Sequence, residues 1–282
     1  MMKKVCIAML ALVLCLSMLA SCGGNKDLNF GKEYRDLNGQ MDVLLQLDAG
    51  NIDVGVMDSI MAGYYMTQDS KYSESLMIVE GLDLATEQYG IAARKGSGLI
   101  KMINEALVFL ANEGTVDELA EKYGIKSEVC IDKDAKIEDM TADEAKDWEY
   151  ICEQKQFIVG YTLFAPIAYE EDGELIGFDI ELAKAVADVL DLDVKFELID
   201  WSAKEAKLEA KAIDCIWNGM SITPEREEQM EISIPYLYNK QVAIIRVADK
   251  DKYTDKDSMA RAIIGAEAGS AGEACIVKAK EE

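Results

Sequence analysis

The stretch from Ile213 to Gln229, I-D-C-I-W-N-G-M-S-I-T-P-E-R-E-E-Q, constrains the fold of this chain more than any other. It opens as a buried strand, with Ile213, Cys215 and Trp217 on one face and Ile216 on the other. The pattern breaks at Asn218-Gly219, where a glycine lets a ligand approach the backbone. It resumes as a helix, with Thr223 suited to the N-cap and Pro224 to the first helical position. Glu225, Glu227 and Glu228 suit the positive end of the helix dipole, but Arg226 opposes it and needs an anion. Two partners fit. One is the neighbouring glutamates on a solvated helix; the other is a ligand carboxylate, held bidentately beside the Ser221 hydroxyl and exposed loop N–H groups.

The chain has 282 residues, 50% of them hydrophobic, enough for one or two domains with substantial cores. A net charge of −24 without a basic cluster argues against a nucleic-acid partner. There is no histidine, which removes Ser-His and Cys-His nucleophile machinery and the commonest metal ligand. No catalytic residue, metal or cofactor is therefore assigned, and a monomeric non-enzyme is expected.

Residues 1–21 read as an export signal: Lys3 and Lys4, an apolar run from Val5 to Leu19, then Leu19-Ala20-Ser21-Cys22. The last four resemble a lipobox, which implies cleavage before Cys22 and attachment of lipid to its thiol. Residues 22–29 form a tether. Of the later cysteines, Cys130, Cys152, Cys215 and Cys275 match no zinc spacing, and Cys130 and Cys152 could pair.

Helical and strand patterns then alternate. A strand over Glu33–Leu37 leads to a helix near Asn38–Ala49, and Ile52–Met57 reads as a buried strand with Asp58 at its carboxyl end. That end is where open α/β sheets place ligands, although Asp58 equally suits the N-cap of the next helix. Gln88–Arg94 is a strand, followed by an amphipathic helix with Met102, Ile103, Ala106, Leu107 and Leu110 on one stripe. Thr115-Val116-Asp117-Glu118 and Thr141-Ala142-Asp143-Glu144 have the form of capping boxes, the second inside a charged linker over 126–154. A strand from Phe157, a hairpin at Asp172-Gly173 and a helix after Gly177-Phe178-Asp179 follow. Beyond the opening stretch come a strand at Gln241–Val247, a helical stretch at Tyr253–Ala262 and a final helix running to Glu282.

Five stretches carry a resemblance. They are D-A-G-N-I-D-V-G-V-M-D from Asp48, Y-G-I-A-A-R-K-G-S from Tyr89, G-F-D-I-E-L-A from Gly177, I-D-C-I-W-N-G-M-S-I-T-P-E-R from Ile213 and E-A-G-S-A-G-E from Glu267. Together they resemble the amino-acid-binding proteins of ABC importers, the bacterial extracellular solute-binding proteins of family 3. The resemblance implies an α/β, two-lobed type II periplasmic-binding fold, with two sheets joined by a hinge. The motifs run in a circularly permuted order: the family's customary start lies near Phe157 and its customary end near Gly124. On that topology residues 30–88 and 248–282 make one lobe, and 89–247, including the linker, the other.

The resemblance also implies roles. Arg226 holds the α-carboxylate of an L-amino acid, helped by Ser221 and by loop N–H groups around Asn218, Ser270 and Ala271. Asp58 takes the α-ammonium with the Gly219 carbonyl, and Trp201 and Phe164 surround the ligand side chain. Binders of cationic amino acids in the family carry an acid where this chain has Tyr161, so a neutral polar ligand is expected. The implied setting is the outer face of the cell membrane, by lipid anchor, with an ABC permease as partner. The alternatives are an exported ligand sensor and a cyclohexadienyl-dehydratase-like enzyme on the same fold.

Overall fold

A computed structural model describes residues 27–67 and 70–279. The export signal, Cys22 and most of the tether lie outside the described residues. In chain order the strands are β1 (Glu33–Leu37), β2 (Val54–Asp58), β3 (Leu76–Arg94), β4 (Gln156–Tyr161), β5 (Tyr169–Glu171) and β6 (Glu174–Ile176). They continue with β7 (Asp193–Leu198), β8 (Cys215–Ser221), β9 (Met230–Ile232), β10 (Leu237–Arg246) and β11 (Ile263–Glu267). Hydrogen bonding orders the main sheet β1-β11-β2-β10-β3-β8-β4-β7, with β9 added on β3. The sheet is mixed: β1, β11 and β2 run parallel, as do β7, β4 and β8, while β10 and β3 cross the middle antiparallel.

The long strand β3 divides this sheet into two lobes. From Leu76 to Tyr89 it pairs with β10, and from Tyr89 to Arg94 with β8 and β9. One crossover is therefore at Gln88–Gly90, and the other is at the head of β10, where Leu237 faces Tyr89. Strand β10 pairs with β2 through Gln241 opposite Asp58, on the side of the sheet that holds β1 and β11. The apolar run of β10 gives no sign in the sequence of which neighbours it pairs with.

Apolar periodicity accounts for most of the packing. Val54, Val56, Ala243, Ile245 and Ile264 form the interior of one lobe. Residues Leu99, Ile103, Ala106, Leu107 and Leu110 of helix Leu99–Glu113 bury their stripe beside Phe178, Leu182 and Val186 in the other. The linker folds onto this second group. Helix Ala142–Gln154 begins with a full capping box between Thr141 and Glu144. Its Asp147 accepts a hydrogen bond from the Ser97 hydroxyl at 2.5 Å, and Ile151 is buried.

Several local expectations give way. Strand β8 does not stop at Asn218-Gly219 but runs to Ser221, accommodating Gly219 by an irregularity in its pairing with β3. Helix Thr115–Lys122 starts from Gly114 with no side-chain cap, because Gly114 already ends the preceding helix in a left-handed conformation. Residues 253–262 form turns, with the Ser258 hydroxyl and the Asp255 carboxylate bonding nearby backbone in competition with a helix. The final described helix is only Ala271–Ile276. Cys130 and Cys152 are both unbridged.

Candidate functional site

The carboxyl ends of β2 and β11 on one side, and of β4 and β8 on the other, meet over a cavity of about 20 Å³. That is room for one water-sized molecule. Its walls include Asp58, Phe164, Trp201, Asn218, Gly219, Ser221, Arg226, Ser270 and Ala271. The sequence singled out all nine, and chain folding brings them together from five separate segments.

Arg226 sits in the first turn of helix Pro224–Gln229, whose N-cap Thr223 accepts from the Arg226 N–H at 3.3 Å. Its guanidinium meets two backbone carbonyls. It donates to the Ser221 carbonyl at 2.7 Å and, across the cleft, to the Gly269 carbonyl at 3.4 Å, and lies 6.0 Å from the Trp201 ring. Among the described residues no carboxylate forms an ion pair with it. Glu205 and Glu225 favour its charge from a distance but form no ion pair with it. Burial works against its charge and lowers its pKa, so an anion in the cavity would be held strongly by the rest of its five donors.

Asp58 ends β2 as a buried carboxylate. Its Oδ1 accepts from the Tyr89 hydroxyl at 2.6 Å, Asn239 Nδ2 at 2.5 Å and Gln241 Nε2 at 2.8 Å. Its Oδ2 accepts from Gln40 Nε2. Burial first, then the nearby Glu87 carboxylate, push its pKa well above the ordinary range. It does not cap the following helix: Asn239 Oδ1 takes that role, accepting from the Ser59 hydroxyl and the Ile60 N–H.

Gly219 holds φ +59°, and its N–H donates at 3.0 Å to the buried carboxylate of Asp179, which also accepts from the Tyr236 hydroxyl at 2.8 Å. Burial pushes Asp179 up to about 7. The side-chain Oδ1 of Asn218 accepts from both the N–H and the hydroxyl of Thr162, at 2.8 and 2.6 Å, which ties β8 to the loop after β4. Ser270 caps the helix after β11, its hydroxyl accepting from the Glu273 N–H at 3.2 Å.

Tyr161 is the exception. It closes β4 but points into the group of Ala168, Ile180 and Phe196, edge-on to the Phe196 ring at 6.2 Å. Residue 162 faces the cavity instead, so the preference for a neutral polar ligand drawn from Tyr161 loses its basis. Gln40, Thr162, Leu163 and Glu267 also stand in the cavity wall, and their sequence neighbourhoods do not mark them as site residues. Glu267 opens the stretch E-A-G-S-A-G-E. What it lacked was a sign that β11 lies parallel to β2, which sets its carboxylate beside Asp58.

Residues 157–268 match the model of the bacterial extracellular solute-binding proteins, family 3. The chain is 31% identical over 121 residues to an arginine-binding extracellular protein of Bacillus subtilis, covering 43% of this chain and 47% of that protein. A probable amino-acid ABC transporter-binding protein of Haemophilus influenzae is 33% identical over 109 residues, 38% of this chain and 42% of that one. The chain thus spans less than half the length of these relatives. A solved substrate-binding protein of an ABC uptake transporter from Streptococcus pneumoniae, with bound histidine, is 40% identical over 29% of this chain and 35% of its own, with a TM-score of 0.29.

Proposed function

We propose that this chain, which belongs to the bacterial extracellular solute-binding proteins of family 3, captures an L-α-amino acid between its two lobes for an ABC importer. The observation that carries this reading is Arg226, a half-buried cation without a carboxylate partner among the described residues, on the wall of the cavity that Asp58 enters from the other lobe. One lobe thus offers a carboxylate receptor and the other an ammonium receptor. Closing both on a zwitterion compensates the desolvation of each charge. The cavity is smaller than an amino acid, so entry requires the lobes to part at the crossovers near Gln88–Gly90 and Leu237.

Relatives named for arginine binding and for amino-acid transport support the ligand class. The permuted order is part of the same proposal. What supports it is that β1 and β2, early in the chain, complete the sheet containing β10 and β11, late in the chain, while helix Ala142–Gln154 spans the joint. Permutation is tolerated where old ends lie close and the new cut falls at the surface. Lipid attachment at Cys22 would hold the protein at the membrane beside its permease. The relatives are binding proteins, and this reading assigns no catalytic step.

The test is a thermal-shift screen of the protein against the twenty L-amino acids, with Arg226→Ala alongside. A ligand at 100 times its dissociation constant adds about 2.7 kcal/mol of stability. A shift with one or a few amino acids, lost in the variant, is expected. A cooperative transition unmoved by every amino acid would overturn the reading.

A further inference from the structure

The charges around the cavity set one group apart from the rest. The wall carries a single cation, Arg226, and two acids, Asp58 and Glu267. Lys204, a buried cation nearby, is paired with Glu205 at 3.0 Å. A zwitterionic ligand brings no net charge, so its carboxylate and ammonium match Arg226 and one acid and leave the other acid to be balanced by a proton or by a further cation. Buried carboxylates in that position are costly unless a cation or a proton joins them.

Asp58 and Glu267 are not equivalent. Asp58 receives hydrogen bonds from Gln40, Tyr89, Asn239 and Gln241. Glu267 is 6% exposed and forms no ion pair among the described residues. Burial first, then Asp58, push it up to about 8, with Lys204 opposing and Asp42 adding to the rise. The two carboxylates end adjacent parallel strands of one lobe, while Arg226, Ser221, Asn218 and Trp201 stand on the other. A ligand whose carboxylate faces Arg226 therefore turns any positive groups towards β2 and β11.

We propose that Glu267 is the specificity-determining residue of the cleft and selects an L-amino acid with a cationic side chain. Asp58 receives the α-ammonium on its Oδ2 edge, and Glu267 receives the side-chain cation. Gln40, which begins helix Gln40–Asp48 and lines the cavity between the two acids, positions both. The proposal rests on the cleft being an amino-acid site, and it moves the choice of side chain from the β4 loop to the far lobe.

The experiment is calorimetric titration of the wild-type protein and Glu267→Gln with L-arginine and L-citrulline, and with L-lysine and L-glutamine. Citrulline keeps the shape of arginine without the charge. Wild type is expected to prefer at least one cation over its neutral counterpart by about tenfold or more, the scale of a hydrogen bond to a charged group. Glu267→Gln is expected to reduce that ratio towards one. The wild-type comparison stands without any variant. Equal affinity for the charged and neutral members overturns the role of Glu267, as does a variant that weakens both alike. So does binding of other L-amino acids to a protein that ignores both cations, an outcome that leaves the amino-acid cleft standing. If none of the twenty amino acids binds, the cleft reading itself has failed.

Discussion

Gly219→Ala tests the geometry of the cleft floor most sharply. Gly219 holds φ +59°, and a Cβ placed there would lie 2.6 Å from Phe164 Cε1 and 3.0 Å from Tyr89 Cε2. Left-handed backbone costs an alanine about 1–2 kcal/mol. Forcing ring atoms out of a packed interior adds about 1–3 kcal/mol, so the expected loss is about 2–5 kcal/mol. Gly50→Ala is the matched control: its φ is +75°, yet nothing lies within 4 Å of the added Cβ. It should lose only the backbone share of about 1–2 kcal/mol. Urea unfolding of both variants, compared at unchanged slope, gives the difference directly. The substitution also reaches the ligand site, because the Tyr89 ring it displaces carries the hydroxyl bonded to Asp58 at 2.6 Å and Phe164 lines the cavity. Amino-acid binding should weaken in Gly219→Ala and not in Gly50→Ala. Equal losses of stability in the two variants would refute the close-approach argument.

Thr141→Ala should cost about 1 kcal/mol in the same unfolding assay, since it removes the hydroxyl of the linker capping box; no change would mean that the linker helix adds nothing to global stability. The pH dependence has a definite sign. Asp179 and Glu267 are raised in the folded protein to about 7 and about 8 from 3.8 and 4.5, so between those limits the folded chain holds protons that the unfolded chain has released. Stability should therefore fall as pH rises from about 5 to 8, by at most about 1.4 kcal/mol per pH unit for each group. No histidine titrates in that window, and Glu267→Gln should flatten the slope. Melting temperatures that rise across it would contradict the buried-acid account.

How much of this was legible in the sequence depends on the range of the interaction. Thr223 as cap, Pro224 behind it and the strand ahead of them are local patterns, readable from their own residues. Arg226 was conspicuous for the same reason, as a cation at the wrong end of a short helix. Partners set by the sheet were not legible. Nothing near Glu267 announces that β11 lies beside β2, and nothing in Leu76–Gln88 shows a strand long enough to cross both lobes. Tyr161 and Thr162 illustrate the penalty of a single residue, since alternation along β4 decides which of them faces the cavity. Asp58 was legible as a strand-end acid, while Tyr89, Asn239 and Gln241, which hold it from β3 and β10, came only with the fold.

The most direct test of the central claim is calorimetric titration of the protein with L-arginine, L-glutamine and the α-carboxamide of each. The carboxamides keep the ammonium and the side chain and remove only the charge that Arg226 is placed to receive. At least one free acid should bind, with its carboxamide about a hundredfold weaker or more, as expected when one partner of a desolvated charge pair is lost. A carboxamide that binds as tightly as its acid would contradict the account.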